Sequence, residues 1–437
     1  MGVEGHRSTV PPHAAVREKT RLYPVTNTRL PALLILSSAF LAAGANGISM
    51  VAFPWLVLQR TGSAVDASIV AGAATLPLLF ATLIAGTAVD FIGRRLVAML
   101  SDALSAIAVA AIPLLAIAFG TDVLNTLVLA ALAALGAFFD PAGMTARQSM
   151  LPEAAEKAGW TRDHTNSVYE AVFNLAYITG PGIGGLLIAT LGGVNTMWVT
   201  CALFGLAILT MGLLRLEGTG RPAREKLPDS VVSGVLEGLK FVWRSRVLRT
   251  LGLIDLAVTG LYLPMESVLF PKYFTDRNEP AQLGWVLMAL SIGGLIGALS
   301  WTVLSKISSK RRTVLTAVLT FGIAVAVIAF LPPLPVILSF AAVVGLVYGP
   351  IGPIYNSVMQ YRTPEHLRGR VVGVMTSMTY AAGPIGFTLA GPLVDTFGLK
   401  VTFLVLAVPI LVIGVLCPWL PALRELDDEP ESQPTHA

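Results

Sequence analysis

The apolar residues of this 437-residue chain are gathered into long runs, and this feature limits the possible folds more than any other. Charged residues make up 13% of the sequence, against about 25% in an ordinary soluble domain. Hydrophobic residues make up 54%, which is more than a soluble fold with so few charged residues can cover. The sequence therefore predicts a polytopic membrane protein.

Twelve stretches approach or exceed the roughly 20 mainly apolar residues that a helix needs to cross the hydrocarbon core of a bilayer. The predicted spans are 31–58, 66–90, 95–119, 122–147, 165–191, 194–215, 247–274, 280–304, 311–332, 334–360, 368–397 and 399–421. We expect an all-α membrane protein with two six-helix bundles, residues 31–215 and 247–421. Tails at 1–30 and 422–437 flank the bundles, and a polar loop at 216–246 joins them, with a surface helix at Val231–Phe241.

The positions of lysine and arginine predict the orientation, because cytoplasmic loops carry an excess of both. With the N-terminus inside, only Arg60, Lys272, Arg277 and Lys400, out of 30 basic residues, fall on the outer side. The first 30 residues lack the apolar core of a signal peptide. We therefore expect a multi-pass inner-membrane protein whose termini and central loop are cytoplasmic.

An internal repeat supports the division into two bundles. Three motifs of the first half recur in chain order in the second half. The pairs are Phe53-Pro54 with Phe270-Pro271, Pro152-Glu153 with Pro364-Glu365, and Tyr177-x-x-Gly180-Pro181 with Tyr380-x-x-Gly383-Pro384. Two similar halves related by an axis along the membrane normal are typical of major facilitator transporters.

Acidic residues inside apolar spans are the strongest functional signal. A charged side chain costs about 2.5–3.5 kcal/mol at the membrane centre on insertion scales, so such residues are rarely without a role. Glu266 is our first candidate for proton coupling, followed by Asp255 and Glu170. Eleven helical residues return to within about 20° of the same direction, so Asp255 and Glu266 are expected on one face. A carboxyl group in such a place holds a proton or a cation in turn, which is the chemistry of drug–proton exchange.

The alternative for each acid is a fixed role in hydrogen bonds or ion pairs between helices. Asp102 and Asp140 lie near inner helix ends, and we expect them to pair with Arg94, Arg95 or Arg147.

Aromatic, methionine and amide side chains at helical spacing are candidates for the wall of a substrate cavity. These candidates are Asn46, Met50, Phe53, Asn174, Tyr177, Tyr262, Tyr355, Asn356 and Tyr380. Such walls suit varied amphiphilic ligands because they repack readily, although ordinary helix packing uses the same residue types.

The loop after the second span resembles the loop signature of the major facilitator superfamily, Gly-x-x-x-Asp-Arg-x-Gly-Arg-Arg. The matching residues are Gly86, Asp90, Gly93, Arg94 and Arg95, with Phe91 at the place of the usual basic residue. The resemblance implies a cytoplasmic gate that latches the two halves. The alternative is a turn followed by basic membrane anchors.

The fifth span carries Gly180-Pro181-Gly182-Ile183-Gly184-Gly185, which resembles the glycine-proline motif of antiporters in that superfamily. Small residues permit close helix contact, and Pro181 removes a backbone hydrogen bond. We expect Gly180, Pro181, Gly184 and Gly185 to seal the bundle against proton leak, with plain helix packing as the alternative.

Longer stretches are similar to mycobacterial Tap-type multidrug efflux transporters. They are Val51–Arg60, Tyr262–Phe274 and His366–Ser377. The resemblance implies proton-driven export of tetracycline, aminoglycosides and other amphiphilic drugs. Related exporters often have an acid in the first helix where this chain has Asn46, which would move coupling toward Glu266.

The expected partners are small-molecule drugs, protons and membrane lipids, with no nucleic acid, and the expected state is a monomer. The sequence contains no Gly-x-x-x-x-Gly-Lys-Ser/Thr run, so we expect no ATP site. Its two cysteines lie in apolar runs and it has only five histidines, so we expect no metal site. We also expect no cofactor and no enzyme activity. Three alternatives to drug export remain: a lipid or lipid-conjugate flippase of the same fold, a nutrient symporter, and a transport-inactive sensor.

Overall fold

The computed structural model describes residues 28–216, 231–364 and 367–427, and these are helical with no strand among them. The N-terminal half has eight helices: α1 Leu30–Thr61, α2 Ala64–Ile92, α3 Arg94–Phe119, α4 Thr126–Phe138, α5 Asp140–Ser149, α6 Leu151–Ala158, α7 Arg162–Leu191 and α8 Gly193–Leu213. The C-terminal half has nine: α9 Val231–Arg244, α10 Arg246–Pro264, α11 Phe270–Thr275, α12 Pro280–Leu304, α13 Lys310–Ala329, α14 Leu334–Tyr348, α15 Ile351–Arg362, α16 Arg368–Phe397 and α17 Leu399–Leu416.

Ten helical segments of the described chain are long and apolar enough to cross a membrane. The predicted spans 165–191 and 368–397 are not among the ten. Each forms one 30-residue helix, α7 and α16. Within the described part of α7, Thr179–Leu191 is a shorter apolar segment. The all-helical membrane architecture is therefore confirmed, and the count of twelve spans stays a prediction.

Three predicted spans are interrupted in the structure. The fourth breaks at Phe139 between α4 and α5, and the tenth breaks between α14 and α15. The seventh contains a π-helical turn, Met265–Leu269, directly after Pro264. Proline stands at or beside each interruption (Pro141, Pro350, Pro264), where its missing N–H removes a helix hydrogen bond.

Two segments outside the predicted spans are more structured than expected. The surface helix predicted at Val231–Phe241 is α9, which runs to Arg244 and packs on α16, where Glu237 pairs with Arg370. The predicted tail at 422–437 begins with a 3-10 turn, Pro421–Leu426, whose Leu423 and Leu426 are buried.

Packing inside the two halves follows the same pattern. In the first half α1 lies against α7, and in the second half α10 lies against α16. The halves meet where α2 contacts α16, where α7 contacts α12, and where α1 contacts the π-turn and α11. Several candidate site residues lie on the helices that make these three contacts.

Candidate functional site

Glycines set the closest approaches between the two halves. A Cβ atom on Gly185 of α7 would lie 2.7 Å from the Cα of Gly284 on α12. A Cβ atom on Gly391 of α16 would lie 2.7 Å from the Cα of Val65 on α2. All four residues lie in the predicted outer parts of their helices, so these backbone contacts hold the two halves together on that side.

Two glycines on the predicted cytoplasmic side are uncrowded. A Cβ atom on Gly352 of α15 or on Gly373 of α16 would meet nothing within 4 Å, and both glycines are exposed. The described contacts thus pack the halves tightly at the outer end and leave these inner positions open.

The glycine-proline motif lies between two neighbours of α7. A Cβ on Gly180 would lie 2.8 Å from the Cα of Gly47, and one on Gly184 would lie 3.2 Å from the Cα of Ile48, both on α1. Gly182 and Gly185 face α12 of the other half, and Pro181 is buried inside α7. The motif therefore packs α7 against its own half and the opposite half at once. Its role as a proton seal stays a prediction.

The basic residues of the predicted cytoplasmic gate bind within the N-terminal half. Gly93 separates α2 from α3 with φ 104°, a value that favours glycine. Arg94 donates to the backbone oxygen of Ser149 at 3.1 Å and pairs with Glu153 at 2.5 Å. Arg95 donates to the backbone oxygens of Met211, at 3.0 Å, and Gly212. Gly86 and Asp90 lie in α2, and their side chains fall outside the described part.

Asp255 is held by hydrogen bonds inside the C-terminal half. Its carboxylate is buried and accepts from the Tyr348 hydroxyl at 2.9 Å and the Thr379 hydroxyl at 2.6 Å. These bonds tie α10 to α14 and α16. Asp255 also borders a small recess with Ile254, Val258, Ala317, Val318, Phe321, Tyr348, Ile351 and Tyr355. A tightly bonded acid of this kind fits the alternative of a fixed structural partner.

Glu266 lies in a different environment. It is the second residue of the π-turn, is half-buried, and belongs to none of the ion pairs between described residues. The π-turn packs against α1 and α2, so Glu266 lies where the halves meet. Tyr262, one turn earlier, stacks edge-on against Phe321 with ring centres 5.1 Å apart. The structure thus separates Glu266 from the hydrogen-bonded Asp255.

The remaining sequence candidates are spread through both halves. Glu170 is exposed and accepts from the Gln148 amide at 3.4 Å. Tyr355 donates to the Leu251 carbonyl at 3.0 Å, and Asn356 is exposed. Asn46, Met50 and Tyr380 are half-buried, Phe53 is buried, and the side chains of Asn174 and Tyr177 lie outside the described part.

A buried polar cluster in the N-terminal half is larger than the sequence indicated. Asp102 of α3 and Arg147 of α5 form an ion pair whose side chains are 3% and 6% exposed, as predicted for Asp102. Arg147 also donates to the Ser38 hydroxyl at 3.0 Å. Asp140 forms no ion pair with any described residue and is hydrogen-bonded to Asn46 and Ser105 instead. The prediction that Asp140 pairs with arginine is therefore wrong for this structure.

Comparison with known proteins identifies close relatives. The chain is 67% identical over 404 residues to the multidrug efflux pump Tap of Mycolicibacterium fortuitum, covering 92% of this chain and 99% of that relative. It is 63% identical to the protein of the same name from Mycobacterium tuberculosis, covering 93% and 97%. The macrolide efflux protein A of Streptococcus pyogenes is 22% identical, covering 87% and 94%. The resemblance to Tap-type transporters is confirmed.

Solved structures show the same fold at low sequence identity. A variant of the nucleoside transporter NupG matches with a TM-score of 0.75 at 11% identity, covering 90% of this chain and all of that one. A peptide transporter POT variant matches with a TM-score of 0.72 at 15% identity, covering 91% and 95%. The sequence profile of the Major Facilitator Superfamily matches residues 35–386 and, in a second match, 267–436. This multi-pass membrane protein therefore belongs to the Major Facilitator Superfamily.

Proposed function

We propose that this protein exports structurally varied drugs across the inner membrane in exchange for protons, by alternating access. The observation that carries the proposal is the 67% identity to a multidrug efflux pump over 92% of this chain. Tetracycline-like and aminoglycoside-like antibiotics and amphiphilic compounds are the proposed substrates. The protein acts as a monomer, and its other partners are protons and membrane lipids.

The packing of the halves supports a cycle that begins open to the cytoplasm. Close contacts at Gly185 and Gly391 close the outer side, and the positions of Gly352 and Gly373 are open. Arg94 and Arg95, two residues of the proposed latch, bind within their own half. Drug enters from the cytoplasm or the inner leaflet, and the two halves then rock against each other to expose it on the outside.

The acid at the interface of the halves supplies the exchange step. Glu266 has no basic partner among the described residues, so a proton or a cationic drug group is available to neutralise it. Protonation from the outside releases the drug there, and loss of that proton to the cytoplasm resets the site. The gradient replaces ATP, and the protein needs no cofactor.

Proteoliposomes with an imposed pH gradient test the proposal. One pH unit is about 1.4 kcal/mol per proton, so an exchange of one proton for one neutral drug supports about a tenfold drug gradient. Uptake of tetracycline and an aminoglycoside into inside-out vesicles should rise with an acidic interior and stop when an ionophore removes the gradient. Protein-free vesicles are the control. Movement of labelled lipids in place of every drug would instead identify a lipid flippase.

A further inference from the structure

We propose that Asp140 is a second proton-binding carboxyl of this transporter, at which a cationic group of the substrate competes with the proton. The proposal rests on the proposed function for its transport consequence, but the protonation of Asp140 is measurable without transport. The supporting observation is the hydrogen-bonded junction of Asp140 with Asn46 and Ser105 beside the buried Asp102–Arg147 ion pair.

Asp140 lies at a break in the fourth span. It is the first residue of α5, directly after Phe139 separates α4 from α5. Its carboxylate accepts from the Ser105 hydroxyl of α3 at 3.3 Å and is hydrogen-bonded to the Asn46 side chain of α1. Tyr380 of α16 is close enough for an electrostatic interaction with Asp140. The carboxylate thus bonds to two other helices of its own half and lies within electrostatic range of one helix of the opposite half.

The charges around Asp140 do not balance. Asp102 and Asp140 bring two carboxylates, whereas Arg147 is the one basic group paired in this cluster of described residues. Arg147 is bound to Asp102 and Ser38 and forms no ion pair with Asp140. An uncompensated carboxylate in a membrane interior is unfavourable, so the cluster gains stability from one added positive charge. A proton supplies that charge, and so does a protonated amine.

The hydrogen-bond partners of Asp140 accept both of its protonation states. The Asn46 amide carries both donors and an acceptor oxygen, so it donates to a carboxylate and accepts from a carboxylic acid. The Ser105 hydroxyl also donates to the Gly136 carbonyl at 2.9 Å, which lets it turn between two acceptors. A site that must gain and lose a proton needs this adaptability, whereas arginine alone would fix the charged form.

The same cluster contains a buried hydroxyl without a hydrogen-bond partner among the described residues. Tyr169 of α7 is 1% exposed, and its hydroxyl has no hydrogen-bond partner among the described residues. It lies within electrostatic range of Arg147, Asp102 and Glu170. Buried hydroxyls are nearly always paired, and ordered water is the usual partner when protein supplies none.

Infrared difference spectroscopy of the membrane-reconstituted protein tests protonation directly. The carbonyl stretch of a protonated carboxyl should appear as pH falls in the wild type and be missing in Asp140→Asn. Asp395→Asn, an exposed acid at the predicted outer end of α16, is the matched control and should keep the full band. An unchanged titrating band in folded Asp140→Asn would overturn the proposal.

A swap of the two hydrogen-bonded side chains tests the transport consequence. Asp140→Asn should lose most pH-gradient-driven efflux of a cationic drug. The double variant Asn46→Asp with Asp140→Asn restores one carboxyl to the same pair and should recover part of the efflux and the infrared band. If Asp140→Asn alone fails to fold, the double variant can be made directly and still tests the site. Lack of both recoveries in a folded double variant would contradict the proposal.

The two proposals fail separately. A wild-type protein that shows the Asp140 band but moves no drug refutes the proposed function and leaves Asp140 as a proton site. A wild-type protein that exports drug, with Asp140→Asn exporting at the same rate and the same pH dependence, refutes the role of Asp140 alone.

Discussion

The Asp102–Arg147 pair illustrates how differently single charges behave inside this protein. Both side chains are almost fully buried, so each is stable only while the other is present. Breaking a buried pair costs about 3–5 kcal/mol because the remaining charge is left without compensation. Asp140 lies beside this pair without a cation of its own, and Glu266 lies at the interface of the halves.

Replacing one member of the buried pair should destabilise the protein severely. We expect Asp102→Asn to lower the free energy of unfolding by about 3–5 kcal/mol, since Arg147 then lacks its counter-ion. The double variant Asp102→Leu with Arg147→Met should regain most of that loss. Thermal unfolding of the detergent-solubilised protein measures both. A double variant less stable than Asp102→Asn would show that the pair adds net stability.

Removing the charge at Glu266 should abolish coupling. We expect Glu266→Gln to fold normally, because the half-buried side chain lacks an ion-pair partner among described residues, and to lose drug uptake driven by a pH gradient. Glu156→Gln, an exposed acid on α6, is the control and should transport as the wild type does. Gradient-driven uptake that persists in Glu266→Gln would remove this residue from the coupling step.

At the level of residues, the sequence identified the polar side chains that lie inside the protein. It was less successful in predicting which residues they contact. It identified Asp102 as a partner of arginine, since both residues lie near inner helix ends. It did not predict that Asn46 bonds Asp140, because that contact joins α1 to α5 across long sequence separation. The placement of Asn46 depends on how α1 packs in the bundle, which periodicity alone does not specify.

Among the elements, α7 and α16 have corresponding positions in the two halves. Each packs on the first helix of its own half and on a helix of the opposite half. Helices α7 and α16 are therefore the elements through which a change inside one half reaches the other.

A bulky side chain at the α7–α12 contact should open the outer side. We expect Gly185→Leu to separate the outer ends, because even a Cβ would lie 2.7 Å from the Cα of Gly284. Overpacking of about 1–3 kcal/mol is enough to shift a two-state population about tenfold. Spin labels at Thr190→Cys and Arg277→Cys, with Cys201 and Cys417 replaced by alanine, report the distance.

Gly205→Leu is the matched control for that experiment, since a Cβ at Gly205 meets nothing within 4 Å. The label distance should stay unchanged in the control and lengthen in Gly185→Leu. An identical distance distribution in both variants would show that the outer contact does not set the conformation.

Helix positions were predictable from runs of apolar residues, and helix interruptions were not. The π-turn at Met265–Leu269 comes directly after Pro264, and the break at Phe139 comes two residues before Pro141. Several other prolines lie inside unbroken helices, such as Pro113 in α3. Whether a proline bends or interrupts a helix depends on which neighbours satisfy the freed carbonyl groups. That information lies in the tertiary packing.

For the whole molecule, the orientation in the membrane and the open side are testable together. We expect Gly373→Cys to react with a membrane-impermeant thiol reagent in inside-out vesicles and not in right-side-out vesicles. Its position on α16 is exposed and uncrowded, near the basic residues that predict the cytoplasmic side. Arg277→Cys should show the reverse. Matching labelling of both variants from one side would refute the predicted topology.

The glycines of α7 and α16 also restrict how this transporter can change under selection. Gly180 packs α7 against its own half and Gly185 packs it against the opposite half, so a side chain added at either position would disturb one of these interfaces. The recess bordered by Phe321 and Tyr348 is not a close contact of this kind between helix backbones. Resistance to new compounds is therefore expected to evolve through substitutions among these aromatic residues, with the helix crossings left untouched.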